Sequence, residues 1–283
     1  MVNFYEKDSS RLKISTGGNV SFYIFLRNLV VGPGSSFVKA IKQRYPVSKN
    51  FSKQKFINLN IELQNHKQGS KDNKLEVFSN DGIFSIKRND FQCEFDLKKK
   101  TAEAFLTPDI YSFDSLLRIL SSFFAVLNNS FYLHSSGVVY KNKAYLFTGK
   151  TGSGKTTIAK RFPRSQVLSD EIVFVRRRPR GDVLAHSSPF WGELKPDKKE
   201  ISAELKNIYF IHKAKEFTLK RLSSCEAVKK LLPNIVFFAK DNNLINKLLE
   251  TVVFISKNVI FYDLFIPEDF DIKRLLRNEY TTQ

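Results

Sequence analysis

Cysteine is scarce: the chain has two, Cys93 and Cys225, far apart and without Cys-x-x-Cys spacing. That excludes a disulfide framework and a cysteine metal site, and it fits free thiols in a reducing compartment. Long apolar runs are lacking as well. The longest, Leu116 to Leu127, is broken by Arg118 and Ser121-Ser122, too short and too polar to cross a bilayer. The start, Met1-Val-Asn-Phe-Tyr-Glu6, has neither the basic region nor the apolar core of a signal peptide. These absences give the expectation of a soluble, cytoplasmic protein with no membrane span. Internal repeats and low-complexity tracts are also missing.

Acidic residues are under-represented, 28 against 46 basic ones, for a net charge of +18. Such a balance attracts polyanions and admits nucleic acid, an anionic membrane surface or a phosphorylated ligand. The basic residues are spread along the chain, however. The clusters Lys98–Lys100 and Arg176–Arg178 are short, and neither is interleaved with aromatics in a recognised nucleic-acid module. At 283 residues, 42% of them hydrophobic with 27 phenylalanines, the chain can bury a sizeable core and is long enough for two domains.

Glycine is sparse too, but it concentrates in Gly149-Lys150-Thr151-Gly152-Ser153-Gly154-Lys155-Thr156, followed by Thr157. The stretch matches the phosphate-binding pattern G-x-x-x-x-G-K-[ST] in full. By residue frequency alone, a chance match in a chain this long is about one in a hundred. Context strengthens it. Lys143 to Thr148 reads as a buried strand, and Thr156 to Phe162 as a helix stopped by Pro163. A strand, a glycine loop and a helix start aim backbone N–H groups at a phosphate, where Lys155 reaches the β/γ-phosphates and Thr156 holds Mg2+. The nucleotide is expected to be ATP, bound by Gly149 through Thr157.

Residues 1 to about 110 read mainly as strands: Leu12–Ser15 and Val20–Leu26 around a Gly17-Gly18-Asn19 turn, then Phe56–Leu63, Lys74–Phe78, Gly82–Lys87 and Phe91–Phe95. A helix at Phe37–Tyr45 interrupts them. A second helix, Ser112–Leu127, takes Ser112 or Asp114 as its cap. Phe131–Tyr140 is a strand carrying His134, and it turns at Lys141-Asn142 into the strand before the glycine loop. Past the loop, Gln166–Val175 reads as strand, acidic pair, strand, with Asp170-Glu171 at the break. Phosphoryl transfer needs a carboxylate for Mg2+ and another to orient or deprotonate the attacking hydroxyl. The stretch containing Pro189, Trp191 and Glu193 is a loop, read either as a substrate lid or as a packed turn. Ser223–Glu226 opens a helix through a capping box. A longer helix follows near Asn243–Lys257, then a strand at Val259–Ile266, and Pro267 starts the last helix.

His134-Ser-Ser-Gly-Val-Val, the loop Gly149–Thr156 and Leu168-Ser-Asp170-Glu171 together resemble the HPr kinase/phosphorylase family, itself related to the nucleotide-binding core of phosphoenolpyruvate carboxykinase. The resemblance covers about residues 112 to 278 well and the N-terminal region only in outline. It implies an α/β fold: a P-loop domain of the HPr kinase type with a mixed sheet over 111–283, preceded by a β-rich accessory domain over 1–110. It implies an ATP-dependent kinase that moves the γ-phosphoryl group to a hydroxyl. Asp170 would be the general base, Lys155 and His134 would act beside it, and Thr156 with Glu171 would hold Mg2+. Glu171 replaces the family's second aspartate, and the C-terminal signature for the HPr carrier is missing, so the bifunctional activity is not carried over. Shorter relatives phosphorylate free serine or a peptide serine, so both acceptors stay open. Family members are often homo-oligomers. The competing reading is a non-catalytic nucleotide sensor or nucleic-acid-binding protein.

Overall fold

The computed structural model describes residues 10–17, 20–27, 33–45, 55–64, 74–195 and 200–278. Gly18 and Asn19 of the expected first turn lie outside them. The chain is mixed α/β and divides into two compact units, Met1–Phe124 with Phe237–Ile245, and Ala125–Val236 with Asn246–Gln283.

In the first unit, β1 (Ser10–Gly17) and β2 (Val20–Arg27) pair antiparallel. α1 (Pro33–Arg44) crosses to β3 (Lys55–Leu63), which lies parallel to β2. A meander follows: β4 (Glu76–Asn80), β5 (Ile83–Arg88), β6 (Phe91–Asp96) and β7 (Thr101–Leu106). Between β4 and β5, Asp81 and Gly82 both have positive φ, 45° and 82°, which is the turn that closes a two-residue hairpin. Because β7 returns parallel to β3, the sheet order among the described residues is β1-β2-β3-β7-β6-β5-β4.

α2 (Ile110–Leu127) begins earlier than its sequence indicates. Asp109, not Ser112 or Asp114, caps it by accepting the N–H groups of Tyr111 at 2.9 Å and Ser112 at 3.0 Å. Asp114 is otherwise engaged: its carboxylate takes Arg44 at 3.1 Å, Arg118 at 2.6 Å and the Tyr45 hydroxyl. The apolar face of α2 sets Phe113 against Phe37 and Tyr45, and Phe123 against Phe84 at 4.8 Å. Each buried ring of this kind stabilises by about 1.5–3 kcal/mol. By length and composition α2 could span a bilayer, with mean hydropathy 1.4, yet 72% of it is buried inside the protein, as in the core helix of a globular fold.

The second unit opens with a hairpin, β8 (Ser130–Tyr140) and β9 (Lys143–Thr148), turned by Lys141 and Asn142 with φ of 47° and 61°. α3 (Lys155–Lys160) follows, then β10 (Val167–Ser169), β11 (Ile172–Arg177) and β12 (Val183–His186). β13 (Ser202–Lys213) runs parallel to β9. β14 (Thr218–Arg221), α4 (Ser224–Leu231), β15 (Ile235–Val236), α5 (Asn242–Asn258), β16 (Ile260–Ile266) and α6 (Ile272–Asn278) complete the described chain. Ser223 and Glu226 form the expected capping box at α4. α6 starts at Ile272 rather than Pro267. Residues 267–271 turn first, Phe270 N–H reaching Pro267 O at 3.2 Å, and the Asp271 carboxylate accepts the Lys273 N–H at 2.9 Å.

Among the described residues nine strands form this second, mixed sheet, with β13 flanked by β9 and β16, both parallel to it. Phe147, Tyr209 and Tyr262, one from each of these strands, stack in a row at 5.2 and 5.5 Å. That row anchors the carboxyl end of β9, from which the glycine loop departs.

Candidate active site

β9 is buried from Ala144 to Thr148 between β8 and β13. At its end the Thr148 hydroxyl donates to the His134 carbonyl at 2.9 Å, tying the start of the loop to β8. The loop then needs its glycines. A Cβ on Gly149, whose φ is +151°, would stand 2.9 Å from the Ile211 carbonyl oxygen of β13. Gly152 and Gly154 have φ of +78° and +102°, a region open to glycine at little cost. Gly154 caps α3, its carbonyl accepting the Ile158 N–H at 2.9 Å.

Lys155 is 8% exposed, and its Nζ donates to the carbonyls of Gly149 at 2.7 Å and Lys150 at 3.0 Å. Burial holds its pKa below the ordinary lysine value, because the charged form loses hydration. The ammonium is therefore wrapped by the loop it serves.

Asp170 and Glu171 occupy the turn between β10 and β11, where Ile172 pairs with His134 of β8. The Ser169 hydroxyl shapes this turn, accepting the N–H groups of Glu171 and Ile172, each at 3.1 Å, and donating to the Phe190 carbonyl at 3.1 Å. Asp170 is 2% exposed, and its carboxylate accepts three backbone N–H groups: Gly192 at 3.0 Å, Glu193 at 2.8 Å and Leu194 at 3.1 Å. In the 189–194 loop Pro189 and Phe190 are buried and Trp191 is half-buried. Glu193 is exposed and pairs with Lys160 of α3 at 2.6 Å.

One pocket of about 430 Å³ is lined by His134, Thr151 to Thr157, Asp170, Glu171 and Glu193. Gly149 and Lys150, the carbonyl partners of Lys155, do not line it, and neither do Pro189 and Trp191. Sequence reasoning missed Arg161, Lys213, Pro267 and Phe270, which line the same pocket. Arg161 is held by the carbonyls of Glu268, at 3.1 Å, and Phe270. No local motif marks these residues. Lys213 and Ile266 meet only through the parallel pairing of β13 with β16.

No group of three or more His, Cys, Asp or Glu that could hold a metal ion occurs among the described residues. Mg2+ differs from zinc here. It commonly uses one or two protein oxygens and completes its octahedron with phosphate and water, and the oxygens this pocket could offer it are the Thr156 hydroxyl and the carboxylates of the acidic turn.

No family model matches this chain, and no curated protein matches it. Among solved structures it is similar to the Hpr(Ser) kinase/phosphatase from Coxiella burnetii, at 10% identity and a TM-score of 0.31, over 53% of this chain and 96% of that one.

Proposed function

We propose that this chain is a cytoplasmic ATP-dependent kinase that transfers the γ-phosphoryl group to a serine-type hydroxyl, on a small molecule such as free serine or on a peptide or protein. One observation supports the reading most: three stretches far apart in sequence, at 134, 151–157 and 170–171, face a single pocket. The domain that carries the activity is taken as 111–283, with 1–110 as an accessory domain.

In this reading the glycine loop, Gly149 to Thr157, holds the phosphates through its backbone N–H groups, which a loop of positive-φ glycines presents together. Lys155 neutralises charge that develops on the transferred group, and its fixed seat means no reorganisation at the moment of reaction. Thr156 and Glu171 would hold Mg2+, which would supply charge neutralisation. The acidic turn with His134 receives the acceptor hydroxyl and orients it in line with the γ-phosphate.

The test is ADP release from ATP with Mg2+ by the wild type and Lys155→Ala, each with and without a small-metabolite extract containing free serine. Stimulation by extract that disappears in the variant supports the small-molecule acceptor. ATP binding without stimulation moves the acceptor to a peptide or protein. Failure of the wild type to bind ATP overturns the reading.

A further inference from the structure

The two neighbouring carboxylates have different surroundings. An ionised carboxylate offers about four acceptor positions. Asp170 has filled three of them with the N–H groups of Gly192, Glu193 and Leu194, and it is 2% exposed where it lines the pocket. Such charge-assisted bonds are roughly twice as strong as neutral ones, so breaking all three to free the group would be costly. Glu171, also in the pocket lining, is half-buried.

Gly192 completes the arrangement. A Cβ there would meet Asp170 Oδ2 at 3.2 Å and Glu171 Cβ at 3.6 Å, so an alanine would press on the carboxylate that the loop backbone holds. Ser169 adds a fourth tie from the same turn to the same loop, through the Phe190 carbonyl at 3.1 Å.

We propose that Asp170 is a positioning residue: its carboxylate clamps the Gly192–Leu194 backbone onto the β10–β11 turn and fixes the part of the pocket lining that Gly192 and Glu193 supply. Its consequence for phosphoryl transfer rests on the kinase reading; the clamp itself does not.

The chain contains one tryptophan, Trp191, beside the clamped residues, so its fluorescence reports the clamp directly. Acrylamide quenching of Trp191 is measured without nucleotide in the full-length wild type, Asp170→Asn, Gly192→Ala and Glu171→Gln, after circular dichroism confirms folding. Asp170→Asn turns an acceptor into a donor facing three N–H groups, and Gly192→Ala pushes the loop off the turn. Both are expected to raise the quenching constant about 2-fold or more, with Glu171→Gln at the wild-type value. Quenching unchanged in Gly192→Ala, or in a folded Asp170→Asn, overturns the clamp.

ADP release from ATP and Mg2+, with free serine as the probe acceptor, then separates positioning from reaction. Gly192→Ala keeps the Asp170 carboxylate, yet it is expected to lose activity to within about 10-fold of Asp170→Asn. An Asp170→Asn enzyme crippled in kcat beside a normal Gly192→Ala would make Asp170 the reacting group and overturn the proposal. If the wild type binds no ATP, the kinase reading falls, and the quenching result still decides the clamp.

Discussion

The Lys155 ammonium lies 2.7 Å from the carbonyl oxygen of Gly149, the first residue of its own loop. A second carbonyl, that of Lys150 at 3.0 Å, fixes the direction of the side chain. The side chain is thus placed by backbone carbonyls.

From this follows the first expectation. Lys155→Ala should reduce ATP turnover by about 10²–10³-fold, the usual loss when one preorganised electrostatic group is removed. Lys155→Arg should not rescue it, because a planar guanidinium cannot sit as a point charge between two loop carbonyls. Steady-state ADP release and calorimetric titration with ATP check both variants. A Lys155→Arg enzyme at wild-type rate would sink the argument.

Gly149 makes the second. An alanine there would put its Cβ 2.9 Å from the Ile211 carbonyl, at a φ of +151° that side chains avoid. The neighbouring atom belongs to the backbone of a central strand and cannot swing aside. Gly149→Ala should cost about 1–3 kcal/mol of stability, read from urea unfolding, and should displace the loop enough to weaken ATP binding as well. Gly152, with open space around its Cβ position, should tolerate alanine better in packing and pay only for its left-handed backbone.

The glycine loop and the acidic turn were legible in the sequence because both are local: adjacent residues of fixed type, bracketed by strand and helix signals. The β8–β9 hairpin was legible for the same reason, since Asn142 in a polar pair tolerates positive φ. Two features were not. The cap of α2 is ambiguous in the sequence because Asp109, Ser112 and Asp114 are all good cap residues, and only the tertiary demand of Arg44, Tyr45 and Arg118 for Asp114 decides among them. Pro267 carries the signal of a helix start, yet the chain turns once more before α6, where Asp271 provides the cap. Arg161 and Lys213 reach the pocket through strand pairing and carbonyl contacts at large sequence separation, which spacing along the chain does not reveal.

Asp114 gives a prediction in the first unit. It is 7% exposed and serves Arg44, Arg118 and the Tyr45 hydroxyl together. Burial and the nearby Asp114 charge push the Tyr45 hydroxyl well above its ordinary pKa, so it remains a donor at any physiological pH. Asp114→Ala would leave two guanidinium groups and a buried hydroxyl short of their acceptor. The expected loss is about 3 kcal/mol. Asp114→Asn, which keeps one oxygen, should lose less. Equal stability of both variants and the wild type in urea would show that the network contributes nothing.

His186 gives the last, and its sign can be worked out. Burial, with the charges of Arg176 and Arg178 added, lowers its pKa from 6.5 to about 4. The ring sits edge-on to Phe174 at 5.7 Å, and its Nε2 is buried without a hydrogen-bond partner among the described residues. Above pH 6.5 the imidazole is neutral in both the folded and the unfolded chain, and it contributes no pH dependence. Between 6.5 and about 4 the unfolded chain binds a proton that the folded protein refuses, so stability falls as pH falls. Below about 4 both states carry the proton and the slope ends. The gap from 6.5 to about 4, at about 1.4 kcal/mol per pH unit, sets the size at about 3 kcal/mol. His186→Leu removes this titration while filling the same apolar space. Urea unfolding at pH 7, 5.5 and 4.5 should therefore show the variant losing about 2 kcal/mol less than the wild type, because the scan stops short of the folded pKa. Parallel curves for the two proteins would mean that His186 accepts a proton in the folded state, and that the surrounding arginines and burial do not exclude it.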